Sequence, residues 1–193
     1  MYQTYEDKNF NTKGKEDTKK EGYTHISVHF LFDAKQDVRN KSRLVLGGHM
    51  TGPNIVTCYS KKLSLCSMRM FIFLAEVNDL KLFTGWIVNA YAEAYTRDTF
   101  WFIAGREFLA CGHEVHTMLI IKSLYGLKTS GSRYHDKFSQ SMIIISFKPS
   151  YADAGVWIKC CSSYYEYVTT WVYAPTFVKK DTNGFYESLR NSG

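Results

Sequence analysis

The run FDAKQDVRNKSRLVLGGHMT, from Phe32 to Thr51, begins as the end of an apolar segment, crosses a polar turn and closes on a glycine pair. His25 to Phe32 is rich in β-branched and aromatic residues, and Arg43 to Leu46 resumes that character after the turn-like Asp37 to Lys41. This predicts two strands joined as a hairpin, with Gly47-Gly48 ending the second. The hairpin is basic. Between His29 and Phe71 stand Lys35, Arg39, Lys41, Arg43, Lys61, Lys62 and Arg69, against only Asp33 and Asp37, so nearly all of the chain's net charge of +6 sits here. Such a stretch is either a surface for an anionic partner such as nucleic acid or a solvated basic loop.

Outward from the hairpin, strands and helices alternate. Leu63 to Val77 lacks Gly and Pro and carries Leu63, Cys66, Met70, Phe73 and Val77 at three- and four-residue spacing, which predicts an amphipathic helix. Strands are expected at Leu82 to Val88, Phe100 to Ala104 and Val115 to Ile121. A second helix is expected over Ser132 to Ile145, striped by Tyr134, Phe138, Met142 and Ile145. Gly155 to Lys159 and Tyr164 to Tyr173 complete the strands. This order predicts an α+β domain with a mostly antiparallel sheet and two main helices.

On the amino-terminal side, Met1 to Gly22 balances five lysines against five acids and reads as a solvated, disordered leader with no secretory signal. The domain is expected over 23–174, with 175–193 as a polar tail. The 193 residues are 45% hydrophobic and 16% aromatic, enough to bury a core, while a mean hydropathy of −0.26 excludes a polytopic membrane protein. An intracellular chain is expected, cytoplasmic or nuclear, with no membrane partner. Its five cysteines, an odd set with no C-x-x-C pair, are expected as free thiols.

General catalytic motifs are absent. Cys111, His113 and His116 lie close enough to suggest zinc ligands, but a fourth ligand is missing, and a polar turn accounts for them equally. No G-x-S-x-G elbow occurs, and Gly47-Gly48 belongs to neither a phosphate-binding loop nor a dinucleotide fingerprint.

Several short strings recur in one order: the opening run, Tyr59-Ser60, Met68-Arg69, IVNAY (Ile87 to Tyr91), LYGLKTSG (Leu124 to Gly131), ADAGVW (Ala152 to Trp157) and YYEY (Tyr164 to Tyr167). In that register the chain resembles the reverse transcriptase domain of copia-type long-terminal-repeat retrotransposons, from about Gly22 to about Ala174. The resemblance implies a fingers-and-palm polymerase-like fold with the basic hairpin as fingers, and RNA or DNA as partner. It implies that Lys35, Lys41 and Arg43 hold the nucleotide triphosphate and that Tyr91 packs under the sugar, a role compatible with a core tyrosine. It further implies that Leu124, Tyr125, Gly126 and Lys128 form the loop and helix start that hold the template, with Gly126 allowing close backbone approach.

The family's chemistry uses Mg²⁺ held by three carboxylates: the first residue of D-I-x-N-A-Y and both aspartates of Y-V-D-D. Here the first position is Trp86, and Trp171, Val172, Tyr173 and Ala174 stand in the second motif. None of the replacements at Trp86, Tyr173 or Ala174 can ligate Mg²⁺, so no intact catalytic or metal site and no cofactor are expected. Glu93, Asp98 and Glu166 are the nearby acids that would have to substitute. The tail is too short for the family's thumb, which is expected to be absent. The resemblance thus implies an inactive RNA-directed DNA polymerase; a non-catalytic nucleic-acid-binding remnant and a decayed product without function are the alternatives.

Overall fold

Tyr165–Trp171, YEYVTTW, is rich in aromatic and β-branched residues, and it pairs on both edges within a five-stranded sheet. The computed structural model describes residues 10–13, 22–34, 40–52, 58, 63–106, 108, 116–171 and 174–180. Within them the fold is mixed α+β, with two helices and sheets whose pairings are antiparallel except for one.

The strands are β1 (Phe10–Lys13), β2 (Thr24–His25), β3 (Val28–Ala34), β4 (Asn40–Leu46), β5 (Lys81–Thr84), β6 (Phe100–Ile103), β7 (Thr117–Ile120), β8 (Lys148–Pro149), β9 (Val156–Cys160), β10 (Tyr165–Trp171) and β11 (Ala174–Lys179). The helices are α1 (Leu65–Val77) and α2 (Ser130–Ile144). Two compact units each take two stretches of chain. One comprises Met1–Tyr59 and Tyr91–Tyr134, the other Ser60–Ala90 and His135–Gly193.

The first unit contains the sheet β1-β7-β6-β2 and the β3-β4 hairpin. Its core gathers Phe10, Ile26, Leu46, Phe102, Met118, Ile120 and Leu124, with Val28, Phe30 and Leu44 of the hairpin packed against it. Phe10 is 7% exposed and meets Phe102 edge-to-face at 5.4 Å. This corrects the expectation of a wholly disordered leader: one aromatic, supported by pairing of Phe10 with Ile120, brings a short strand out of an otherwise charged segment.

The second unit contains the sheet β5-β11-β10-β9-β8. Directly paired residues share a face. Tyr167 pairs with Val178, and both pack with Phe71 and Ala75 of α1. Trp157 pairs with Val168, the neighbour of Tyr167 and therefore on the opposite face, where Phe138 of α2 meets the Trp157 ring at 6.4 Å. The segment expected as tail is corrected in the same way. Phe177 is 3% and Val178 0% exposed, so β11 lies between β5 and β10 as an inner strand.

Both helices fall near their expected spans, but α1 buries a different stripe. Phe71 and Ala75 are buried and Met68 and Leu74 half-buried, whereas Cys66, Met70, Phe73 and Val77 are exposed. Ser64 caps the helix by accepting from the Ser67 N–H at 3.0 Å. The strand expected over Leu82 to Val88 ends at Thr84, leaving Trp86 and Val88 exposed.

Candidate nucleic-acid interface

β4 alternates two kinds of residue. Leu44 and Leu46 turn toward the core with Phe30 and Val28, their partners across the hairpin. Lys41 and Arg43 occupy the other face, opposite Asp33 and Leu31, and are half-buried. Lys35 lies outside the described residues, as do Cys111 and His113.

The Arg43 guanidinium stands 5.9 Å from the centre of the Tyr125 ring, within cation–π range. Tyr125 in turn meets Tyr91 edge-to-face at 5.0 Å, and Tyr91 meets Tyr134 at 6.4 Å. Two devices hold this row. The Leu46 N–H donates to the Tyr125 carbonyl at 2.9 Å, tying the loop to β4. Asn89, at φ 53, makes the left-handed bend before the 3-10 turn Ala90–Glu93 that carries Tyr91; asparagine tolerates that region better than most residues. Burial, and secondarily the Glu93 carboxylate, raise the pKa of Tyr134 far above its ordinary value, so this ring stays neutral. Cations beside aromatic faces are what single-stranded nucleic acid requires for backbone attraction and base stacking.

The rest of the LYGLK string has structural work of its own. Leu124 is 4% exposed and belongs to the core. Gly126, at φ +94, does permit a close backbone approach, and the backbone it approaches is Leu46: a Cβ here would overlap the Leu46 carbonyl oxygen. Gly48 is constrained by the same contact, since its Cβ would strike the Gly126 oxygen. Of the glycine pair that matched no phosphate motif, Gly48 therefore serves packing against this loop, while a Cβ at Gly47 would meet Ser27. Lys128 is exposed, and its Nζ donates to the Thr51 carbonyl at 2.9 Å.

Trp86 and Ala174, where the resemblance expects carboxylates, lie in the second unit. β5 and β11 pair Thr84 with Thr176, and the Gly85 N–H donates to the Pro175 carbonyl at 3.1 Å. One further step in that register sets Trp86 level with Ala174. Ala174 itself pairs with Trp171 where β10 and β11 join, and Tyr173 lies outside the described residues. The Trp86 indole is 78% exposed. Indole and methyl groups supply no oxygen donors, so this sheet end does not fit Mg²⁺.

Two of the acids that would have to substitute, Glu166 and Asp98, are engaged elsewhere. Glu166 is five residues from Trp171 along β10, roughly 17 Å away, and its carboxylate lies 3.9 Å from the Lys159 ammonium. Asp98, in the first unit, accepts from the Thr129 hydroxyl and takes its own N–H bond to Thr96 Oγ1 at 3.1 Å. Among the described residues, no three His, Cys, Asp or Glu side chains gather as a possible metal site.

Sequence reasoning missed two features. Tyr134 was legible only as a helix-stripe residue, although it completes the aromatic row. Asp153, inside the ADAGVW string, accepts from the Ser64 N–H at 3.0 Å and the Gly155 N–H at 2.8 Å, fixing the start of α1. No periodicity signals a bond between residues so far apart in the chain.

No family model matches the chain, and no curated protein or solved structure matches it. Among the described residues no helix is long and apolar enough to cross a membrane.

Proposed function

We propose that the chain is a reverse-transcriptase-like domain of copia-type ancestry, with fingers and palm, that binds RNA or DNA through its basic hairpin and catalyses no polymerisation. The observation that carries this reading is the β5-β11 register. Continued past the Thr84–Thr176 pair and the Gly85–Pro175 bond, that register would set Trp86 level with Ala174, two positions to which the motif order assigns catalytic carboxylates. The row of Arg43, Tyr125 and Tyr91 supports the binding half of the reading, since it draws together three residues assigned to nucleotide and template.

Inactivity follows from the side chains. In-line phosphoryl transfer by two metal ions needs convergent carboxylates, and aromatic and methyl groups cannot replace them.

The test has two arms. Primer extension on an RNA template with Mg²⁺ or Mn²⁺ should yield no product; metal-dependent extension abolished by Glu93→Gln or Asp98→Asn would overturn the inactive reading. Binding to a single-stranded oligonucleotide should weaken as salt rises, because neutralised phosphates release counterions. The double variant Lys41→Glu/Arg43→Glu should lose about tenfold or more in affinity, and unchanged binding would remove the hairpin from the interface.

A further inference from the structure

Arg133 lies in the first turn of α2 and is 6% exposed. Its Nε is enclosed without a hydrogen-bond partner, and no described residue forms an ion pair with its guanidinium. A cation held this deep with no counter-charge is strongly disfavoured, because it has surrendered hydration without electrostatic return.

The same turn supplies further donors. Gly131 and Ser132 occupy helix positions whose N–H groups have no preceding helical carbonyl to bond. Helical side chains lean toward the amino-terminal end of their helix, the end at which these amides lie. Neighbouring hydroxyls are already committed: Ser130 Oγ donates to the Leu124 carbonyl at 2.6 Å, and Thr129 donates to Asp98. Asp98 thus accepts from Thr129 and makes no ion pair with Arg133.

We propose that Arg133 and the first-turn amides of α2 form an oxyanion site that takes a phosphate group. The fork geometry of guanidinium and the positive end of the helix select a tetrahedral dianion over a halide. The ligand is a backbone phosphate of nucleic acid or a free phosphate-bearing molecule, which share this chemistry. The inference rests on burial and lost pairing, and it stands without the polymerase reading.

Inorganic phosphate titrated into the full chain should raise its melting temperature and shift the Arg133 Nε–Hε NMR resonance. Arg133→Gln should melt no lower than wild type in phosphate-free buffer, because it relieves an unpaired buried charge, and should lose phosphate affinity by about tenfold or more. Arg133→Lys, which keeps the charge and loses the fork, should bind with intermediate affinity. An oligonucleotide that displaces phosphate identifies the backbone as ligand; one that leaves phosphate bound identifies a free phosphate. Absence of phosphate binding by wild type, or equal binding by Arg133→Gln, overturns the site.

Discussion

Gly126 and Gly85 separate two meanings of the same residue. At Gly126 a left-handed backbone and the Leu46 carbonyl both exclude a Cβ, whereas at Gly85 nothing lies within 4 Å of where one would stand. Gly126→Ala is therefore expected to cost about 3 kcal/mol or more, because backbone must move to admit it. Gly85→Ala should be neutral or stabilise by up to about 1 kcal/mol through the unfolded chain. Urea denaturation of both variants checks the contrast, and equal effects would remove Gly126 from the loop-to-strand contact. Asp153 makes a pH-dependent case at the same scale. Its slight burial acts to raise the pKa and is outweighed by hydrogen bonds from Ser67, Ser64 and Gly155, so the pKa falls below its ordinary value. A depressed folded-state value contributes stability above the unfolded pKa and loses it as pH falls through the folded one. Wild type should thus lose stability below about pH 4 more steeply than Asp153→Asn, as measured by thermal melts from pH 6 to pH 2.5.

Among the elements, what was legible depended on whether local pattern or a distant partner decides. The β3-β4 hairpin was readable because its two faces alternate and its tip is polar. Helix α1 was readable as a helix but not by face: Met68, Met70, Phe71, Ile72, Phe73 and Leu74 make it apolar nearly all round, so spacing alone cannot choose a stripe. The sheet chooses, through Val178 and Tyr167 against Phe71. Phe71→Ala should therefore cost about 3–5 kcal/mol, the range for emptying a core aromatic site. Phe73, 60% exposed, stands on the open side. Its alanine variant should stay within about 0.5 kcal/mol of wild type, and a reversed order in denaturant melts would turn the helix over. β1 escaped prediction for a related reason, since it is a short run whose partner β7 is distant in sequence, and β11 takes one of its two partners, β5, from equally far away.

Across the whole molecule, motif order nominated residues for the candidate site, but their environments were not legible from it. Order alone nominated Arg43, Tyr91 and Tyr125; their row, the entry of Tyr134 into it and the Leu46 approach of Gly126 arise from contacts that no local period encodes. The same contrast governs the absent chemistry. On the proposed reading, aspartates at the three motif positions would lower the net charge from +6 to about +3. Continuing the β5-β11 register two residues past the Thr84–Thr176 pair would set acids at positions 86 and 174 level at one sheet end. The variant Trp86→Asp/Tyr173→Asp/Ala174→Asp should then be less stable than wild type in chelator, since clustered like charges repel. Mn²⁺ should reverse that loss, because an ion bound only by the folded state adds about 1.4 kcal/mol at tenfold excess over its Kd. Wild type and a control bearing Val88→Asp, an acid at an exposed position outside the triad, should show no such gain. Thermal melts with and without Mn²⁺ decide it: equal metal response in triad and control would mean that the three positions do not converge, and would count against the polymerase ancestry as well as the register.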